Sequence, residues 1–422
     1  MKHLPLVIAV LLVTTVTGVG VGFPAESGIQ PQADTADTEL SAAAQLDGTI
    51  EADASVTNAL AIPAGEIERS DLRRQYADLG PAAGFDTGVT TDRLATRTIE
   101  RELDDTADSE LESRVLAELD AVEAEVDELE SRERAAIRAF SSGETEPREL
   151  LVELATIHLT ASELRDRTAL LESYASTLDE GTFSEGRILR LEYDILMLEG
   201  PLRAHVVSVL RAERPPDRIL IETSQTAITM TTIDADRYLR EVNRKGLRGD
   251  GSSQLTPERT EELVKKQYPI LWNRSTGLNI DGPGSVFMTS ISYDGGELRT
   301  FVDGPTERTF IEHQRLPLDS VVTASETTKV QDGLNVTVEQ TYAGGPLRLT
   351  VTDASTGEPL EATITVGQDG QESQRVGTTD AEGHLWTVSP RESFTITVFG
   401  EDTSAAFVDV TPPAPETVTG ST

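Results

Sequence analysis

An apolar seam with helical spacing constrains this chain more than any other feature. Leu111, Val115, Leu119, Val122, Val126 and Leu129 recur at intervals of three and four, which places them on one face of an α-helix. The seam resumes at Ala136 and Phe140 after an interruption at Glu133. Ser141-Ser-Gly-Glu-Thr145 breaks the helix, and Pro147 suits the first turn of the next one. Leu150, Leu154, Ile157, Ala161, Leu164, Thr168, Leu171, Ala175 and Leu178 then keep the same alternation, as in a coiled coil. A third segment carries Ile188, Leu191, Ile195, Leu198, Leu202, Val206 and Val209, with a kink expected at Gly200-Pro201. Short loops force such helices to run antiparallel. The helical pattern begins at Thr91, and a three-helix bundle with a long hairpin is expected, inside a domain spanning 56–214.

Pro215-Pro216 ends that pattern. Beyond it, 219–224 and 227–233 are β-branched and bounded by polar turns, as strands are. Arg237–Asn243 fits either a strand or a short helix. Thr256-Pro257-Glu258 opens an amphipathic helix to about Trp272, and strands follow at 286–293, 298–302 and 309–314. One helix on an antiparallel sheet makes an α+β domain over 217–320. From Asn335 to Thr411 apolar and polar residues alternate in short runs between Gly-rich turns, the pattern of a β-sandwich. The fold class is therefore multidomain α + β: an antiparallel helical hairpin or three-helix bundle, a small α+β domain, and a C-terminal sandwich over 335–411. Residues 412–422 are polar and read as a disordered tail.

Charge defines the solvent. The chain has 73 Asp plus Glu against 36 Lys plus Arg, for a net charge of -37. Lysine occurs only at Lys2, Lys245, Lys265, Lys266 and Lys329. Concentrated salt screens such a surface within about 3 Å at 1 M, so the composition suits a halophile. It argues against nucleic acid and anionic membranes as partners. There is no Cys, so disulfides and thiolate metal sites are excluded.

Met1-Lys-His precedes an uncharged stretch from Leu4 to Thr17 and then small residues to Gly22. Two readings fit residues 1–25: a cleaved secretory signal, or an anchor retained in the membrane. Both place the bulk of the chain outside the cytoplasm, at the cell surface or beyond. Residues 26–55 are acidic, poor in large apolar groups, and read as a disordered spacer. Asn273-Arg-Ser and Asn335-Val-Thr are glycosylation candidates in an exported chain.

Val351-Thr-Asp-Ala-Ser-Thr-Gly-Glu-Pro-Leu-Glu-Ala-Thr-Ile-Thr-Val366, followed by Gly377-Thr-Thr-Asp-Ala-Glu-Gly-His-Leu-Trp386, resembles the carboxypeptidase regulatory-like and transthyretin-like modules of exported proteins. That resemblance implies a spacer or adhesive unit. The runs Phe310–Asp319 and Tyr342–Val351 make the whole chain similar to a family of haloarchaeal exported proteins, which implies no activity. The helix at 257–272 with the run from Gly296 to Phe310 resembles, more weakly, a PepSY unit of peptidase propeptides.

Searching for chemistry returns little. His3, His158, His205, His313 and His384 are too far apart in sequence for a metal-ligand motif. Glu312-His313 beside Arg315 is the one polar cluster in the middle sheet. An acid–base role is conceivable there, with surface pairing as the plainer reading. Arg248-Gly249-Asp250 reads as a chance tripeptide in a flexible loop. No nucleophile elbow, phosphate loop or dinucleotide fingerprint occurs. The expectation is a non-enzymatic exported protein acting through protein contacts, with no catalytic residue, metal or cofactor. The alternative is a regulator of extracellular peptidases acting through the middle domain. Protein partners and oligomeric state are not specified by the sequence, and contact with a membrane is confined to an uncleaved N-terminal segment.

Overall fold

Among the described residues of the computed structural model, five α-helices occupy the N-terminal half: α1 (Leu79–Asp104), α2 (Asp108–Ser141), α3 (Pro147–Ala175), α4 (Glu185–Leu196) and α5 (Pro201–Leu210). The structure describes residues 58–178, 185–251, 253–368, 373–400 and 403–418. The expected signal or anchor at 1–25 and spacer at 26–55 lie outside the described residues.

The seam of α2 and α3 is buried as the spacing requires. Val115, Leu119, Val122, Val126 and Leu129 pack with Ile157, Ala161, Leu164 and Leu171, and α4 closes this core with Ile188, Leu191 and Ile195. Two features depart from the three-helix expectation. Helix α1 starts at Leu79 rather than near Thr91, capped by the Asp78 carboxylate, which accepts from the Gly80 amide at 3.1 Å. Its first turns contain Gly80, Gly84 and Gly88, each costing about 1 kcal/mol relative to Ala in a helix, so local propensity hides it. Packing of Phe85 into the core shared by α2, α3 and α5 holds it. The expected third helix is two helices. Gly200 is extended between them, and Pro201 opens α5. A Cβ at Gly200 would collide with the Glu241 carboxylate, so only glycine permits this approach.

One eight-stranded sheet lies under the helices, in the order β2-β3-β4-β5-β9-β8-β7-β6. Its strands are β2 (Arg69–Gln75), β3 (Asp217–Ser224), β4 (Ala227–Asp234), β5 (Arg237–Asn243), β6 (Ser275–Asp281), β7 (Val286–Tyr293), β8 (Gly296–Asp303) and β9 (Arg308–Pro317). Every neighbouring pair is antiparallel. Arg237–Asn243 is a strand, and both its faces are buried. The polar edge strands β2 and β6 escape the hydrophobic pattern because edges hold by backbone pairing. Since β2 precedes the helices, the sheet is not confined to 217–320. The helix expected at 257–272 divides at Pro269, which has no amide to donate, into α6 (Pro257–Gln267) and α7 (Pro269–Asn273).

The sheet is covered on both faces. Ile219, Ile221, Ile228, Met230 and Leu239 meet α3 and α5 on one. On the other, Phe287, Ile291, Leu298 and Val302 meet Leu263, Val264, Tyr268 and Leu271 of α6 and α7.

The C-terminal sandwich has two four-stranded sheets. β10 (Ser325–Gln331), β11 (Leu334–Gln340), β12 (Pro346–Asp353) and β15 (His384–Val388) form one. The other contains β14 (Gln374–Thr378), β13 (Thr363–Gln368), β16 (Phe394–Phe399) and β17 (Ala405–Val410). Their inward residues, among them Val336, Leu349, Ile364 and Ile396, form its core. It begins ten residues earlier than expected, because β10 is polar. Gly357 and Gly383 take positive φ at its turns. The Asp353 carboxylate accepts from the amides of Ser355 and Thr356, both at 2.8 Å.

The tail is not wholly disordered. β1 (Asn58–Ala59) pairs in parallel with β18 (Glu416–Thr417), and Val418 is buried in the α6–α7 core. The expectation failed here because a short polar segment shows no pattern until a partner strand is present.

Candidate functional site

Alternation along β5 and β9 sends adjacent charged residues to opposite faces of the sheet. Glu241 pairs across with His313 on the helical face. Arg240 and Glu312 occupy the other face, buried beneath α7 and the segment 58–62. Glu312 and His313 therefore cannot exchange a proton with each other. Both are buried, which corrects the surface-pair reading. Arg315 is half-buried and pairs with Glu297 at 3.3 Å.

On the helical face Arg203 is 1% exposed and joins two carboxylates. Its Nε lies 2.6 Å from Glu241 and its Nη2 2.5 Å from Glu133. Lys245 Nζ is 2.8 Å from Glu133, and Asn243 donates to the same carboxylate at 3.2 Å. Burial pushes the Glu133 carboxyl up, but Lys245 and Arg203 outweigh it and hold its pKa at about 2. Burial, then the nearby Arg203, lowers His158 to about 4. The same two causes, with Arg299 and Arg315, hold His313 well below its ordinary value.

On the opposite face Glu312 ties an extended strap to the sheet. Its carboxylate accepts from the Leu60 amide at 2.6 Å and the Tyr268 hydroxyl at 2.7 Å, and pairs with Arg240. Arg240 donates to the Leu60 carbonyl at 2.5 Å, and Arg244 to Ala61 at 2.9 Å. Residues 58–62 are all buried. Burial raises Glu312 despite Arg240. These groups brace layers against one another.

The remaining sequence candidates separate. Asn273 is exposed at the end of α7, open to modification. Asn335 is half-buried near the start of β11, and its Nδ2 donates to Thr352 at 3.3 Å. His205 is buried between Asp217 and Asp234. His384 bonds Thr350 at 3.1 Å, and His3 lies outside the described residues. Arg248-Gly249 is anchored: Arg248 is 3.6 Å from Asp303, and the Gly249 amide donates to the same carboxylate at 3.1 Å. Among the described residues no group of three or more His, Asp or Glu is gathered as a metal site.

Sequence reasoning missed the open surface around α1. A groove of about 820 Å³ runs along one side, with Leu79, Val89 and Leu159 on its wall beside the charged Asp86, Arg93 and Glu163. A second, of about 260 Å³, lies along the other side against Phe85, Val152 and Thr156. Leu79 is 85% exposed, and Tyr76 and Leu94 are each 59% exposed. Gly84 and Gly88, which help to hide the helix, also line the smaller groove without filling it.

Helices, covered sheet and sandwich define a multidomain α + β protein whose last domain is of a fibronectin type: residues 325–407 match the archaeal fibronectin-III type-like domain. Residues 1–214, just over half of the chain, match a domain of unknown function (DUF7096), and the chain belongs to that family. Residues 219–322 match a second family of unknown function (DUF7094). No curated protein and no solved structure matches the chain.

Proposed function

We propose that this is an exported, non-enzymatic protein of a halophile that acts by protein contact through the surface of α1. One observation carries the reading: three large apolar side chains stand exposed on or beside a helix flanked by unfilled grooves. Exposed apolar surface of this kind marks interaction sites. The deep ionisable groups support it from another side, since Glu133, Arg203, Glu241, Arg240 and Glu312 are engaged in bracing the fold. Net charge, scarce lysine and the uncharged N-terminal stretch support export into strong brine. The partner expected is an apolar or amphipathic segment of another surface protein.

Pull-down from culture medium at molar KCl tests this. Leu79→Glu with Leu94→Glu should fold as the parent, because both side chains are exposed, and should lose the partner that the parent retains. Equal capture by both would overturn the α1 reading. Capture of a secreted peptidase that depends on residues 217–320 would favour the regulator reading, and with it the PepSY-like and regulatory-like resemblances.

A further inference from the structure

The edge of the central sheet carries an arrangement that the helices and braces do not explain. In the β2–β3 register Arg74 stands directly opposite Arg218. Like charges placed across a strand pair repel. In a chain with twice as many acids as bases, such a pair stands out. Arg218 is also buried, at 9% exposure. The other buried arginines each meet a carboxylate: Arg167 with Glu125, Arg203 with Glu133 and Glu241, Arg240 with Glu312. Among the described residues Arg218 meets none. Its Nη2 donates to Gln374 at 3.0 Å, and its Nη1 has no partner. Burial, followed by Arg74, lowers its pKa to about 10.

The surroundings are hollow. Arg218 lines two cavities between the sheet edge and the sandwich. One, of about 280 Å³, also has Ser70, Gln368 and Gln374 on its wall. The other, of about 230 Å³, has Arg74 and Trp386. The acids on these walls have partners elsewhere, although Asp217 Oδ1 is buried without one. Asp71 pairs with Arg73 at 2.6 Å, Asp217 with His205, and Asp234 with Arg214 at 2.9 Å. A cation taken out of water without a counter-charge is strongly destabilising, so a charge of opposite sign belongs here.

We propose that the cleft between β2, β3 and the sandwich binds a small inorganic anion on Arg218 Nη1 and Arg74. In brine the abundant halide is the natural occupant, and its binding ties the edge of the sheet to the last domain.

Bromide serves as the probe. Crystals of the full chain grown in KBr should show anomalous density within hydrogen-bond reach of Arg218 Nη1. Melting curves at constant potassium should shift upward when gluconate is replaced by chloride, by linkage to the folded state. That shift should shrink in Arg218→Gln and in Arg74→Gln, the latter being exposed and safe for folding. Absence of bromide at Arg218, or bromide spread equally over paired arginines, overturns the proposal. So does an identical chloride shift in parent and both variants. The segment between Gln368 and Gln374 carries Asp369 and Glu372. If chloride acts only in Asp369→Asn with Glu372→Gln, and not in the parent, the chain supplies its own counter-charge and the proposal fails.

Discussion

Arg203 shows what a single side chain can hold together. It joins α5 to α2 and to β5 through two carboxylates that are themselves buried. Replacing it by Leu leaves the buried Glu241 carboxylate without its cation and Glu133 with Lys245 alone, and a loss of about 3–5 kcal/mol is expected. A fall in melting midpoint at molar KCl reads it out, and an unchanged midpoint would refute the brace. The same cluster sets an acid sensitivity. His158 folds with its pKa lowered from 6.5 to about 4, so the unfolded chain binds more protons and stability falls as pH drops through that interval. Burial and Arg203 act on His313 in the same direction. Glu133, lowered from 4.5 to about 2, adds a second loss below that. Asp194, raised by burial to about 6, works oppositely and softens the first stage. Melting midpoints should be flat above neutrality and decline in acid, with the upper stage reduced in His158→Gln. An upper stage unaltered by that substitution would remove His158 from the account. Part of this was visible in the sequence. Glu133 stood out as an interruption of an apolar seam, and that interruption anchors the cluster. Glu312 and His313 stood out too, and the strand period of two places such neighbours on opposite faces.

At the scale of elements, long periodic segments were legible because burial on one face leaves a repeat in the chain. The seam of α2 and α3 and the alternation of the sandwich strands both follow it. What escaped lacks such a repeat. Helix α1 is held by tertiary packing despite its glycines, and β2, β6 and β10 are polar edge strands without a buried apolar repeat. For the same reason the open surface and the Arg74–Arg218 pair were out of reach, since each depends on register between distant segments. Leu164 tests the legible part. It is buried between α2, α3 and α4, and an aspartate there is an unpaired charge without water. Leu164→Asp should cost several kcal/mol by that penalty. A variant melting like the parent at molar KCl would refute the core assignment.

The whole molecule carries a net charge of -37 on layers that are each thin. In dilute buffer the screening length grows to about 30 Å at 0.01 M, and every carboxylate then feels many others. Far-UV circular dichroism should show partial unfolding below roughly 0.5 M salt and recovery on returning to molar salt. Full structure in dilute buffer would defeat the halophile reading. The helices should loosen first, because their outer faces are the most densely charged. The strap and the tail add a condition of time. Residues 58–62 are among the earliest described segments to be synthesised, and 416–418 are the last, yet Val418 donates its amide to the Ala59 carbonyl at 3.0 Å. Contacts so distant in sequence form late, after the loops between them have closed. Until the tail arrives, the strap has no strand beside it and the core under α6 and α7 lacks Val418. A chain interrupted before that point therefore stays unsealed under α6 and α7, so the join between β1 and β18 makes synthesis as far as Val418 a precondition for the finished fold.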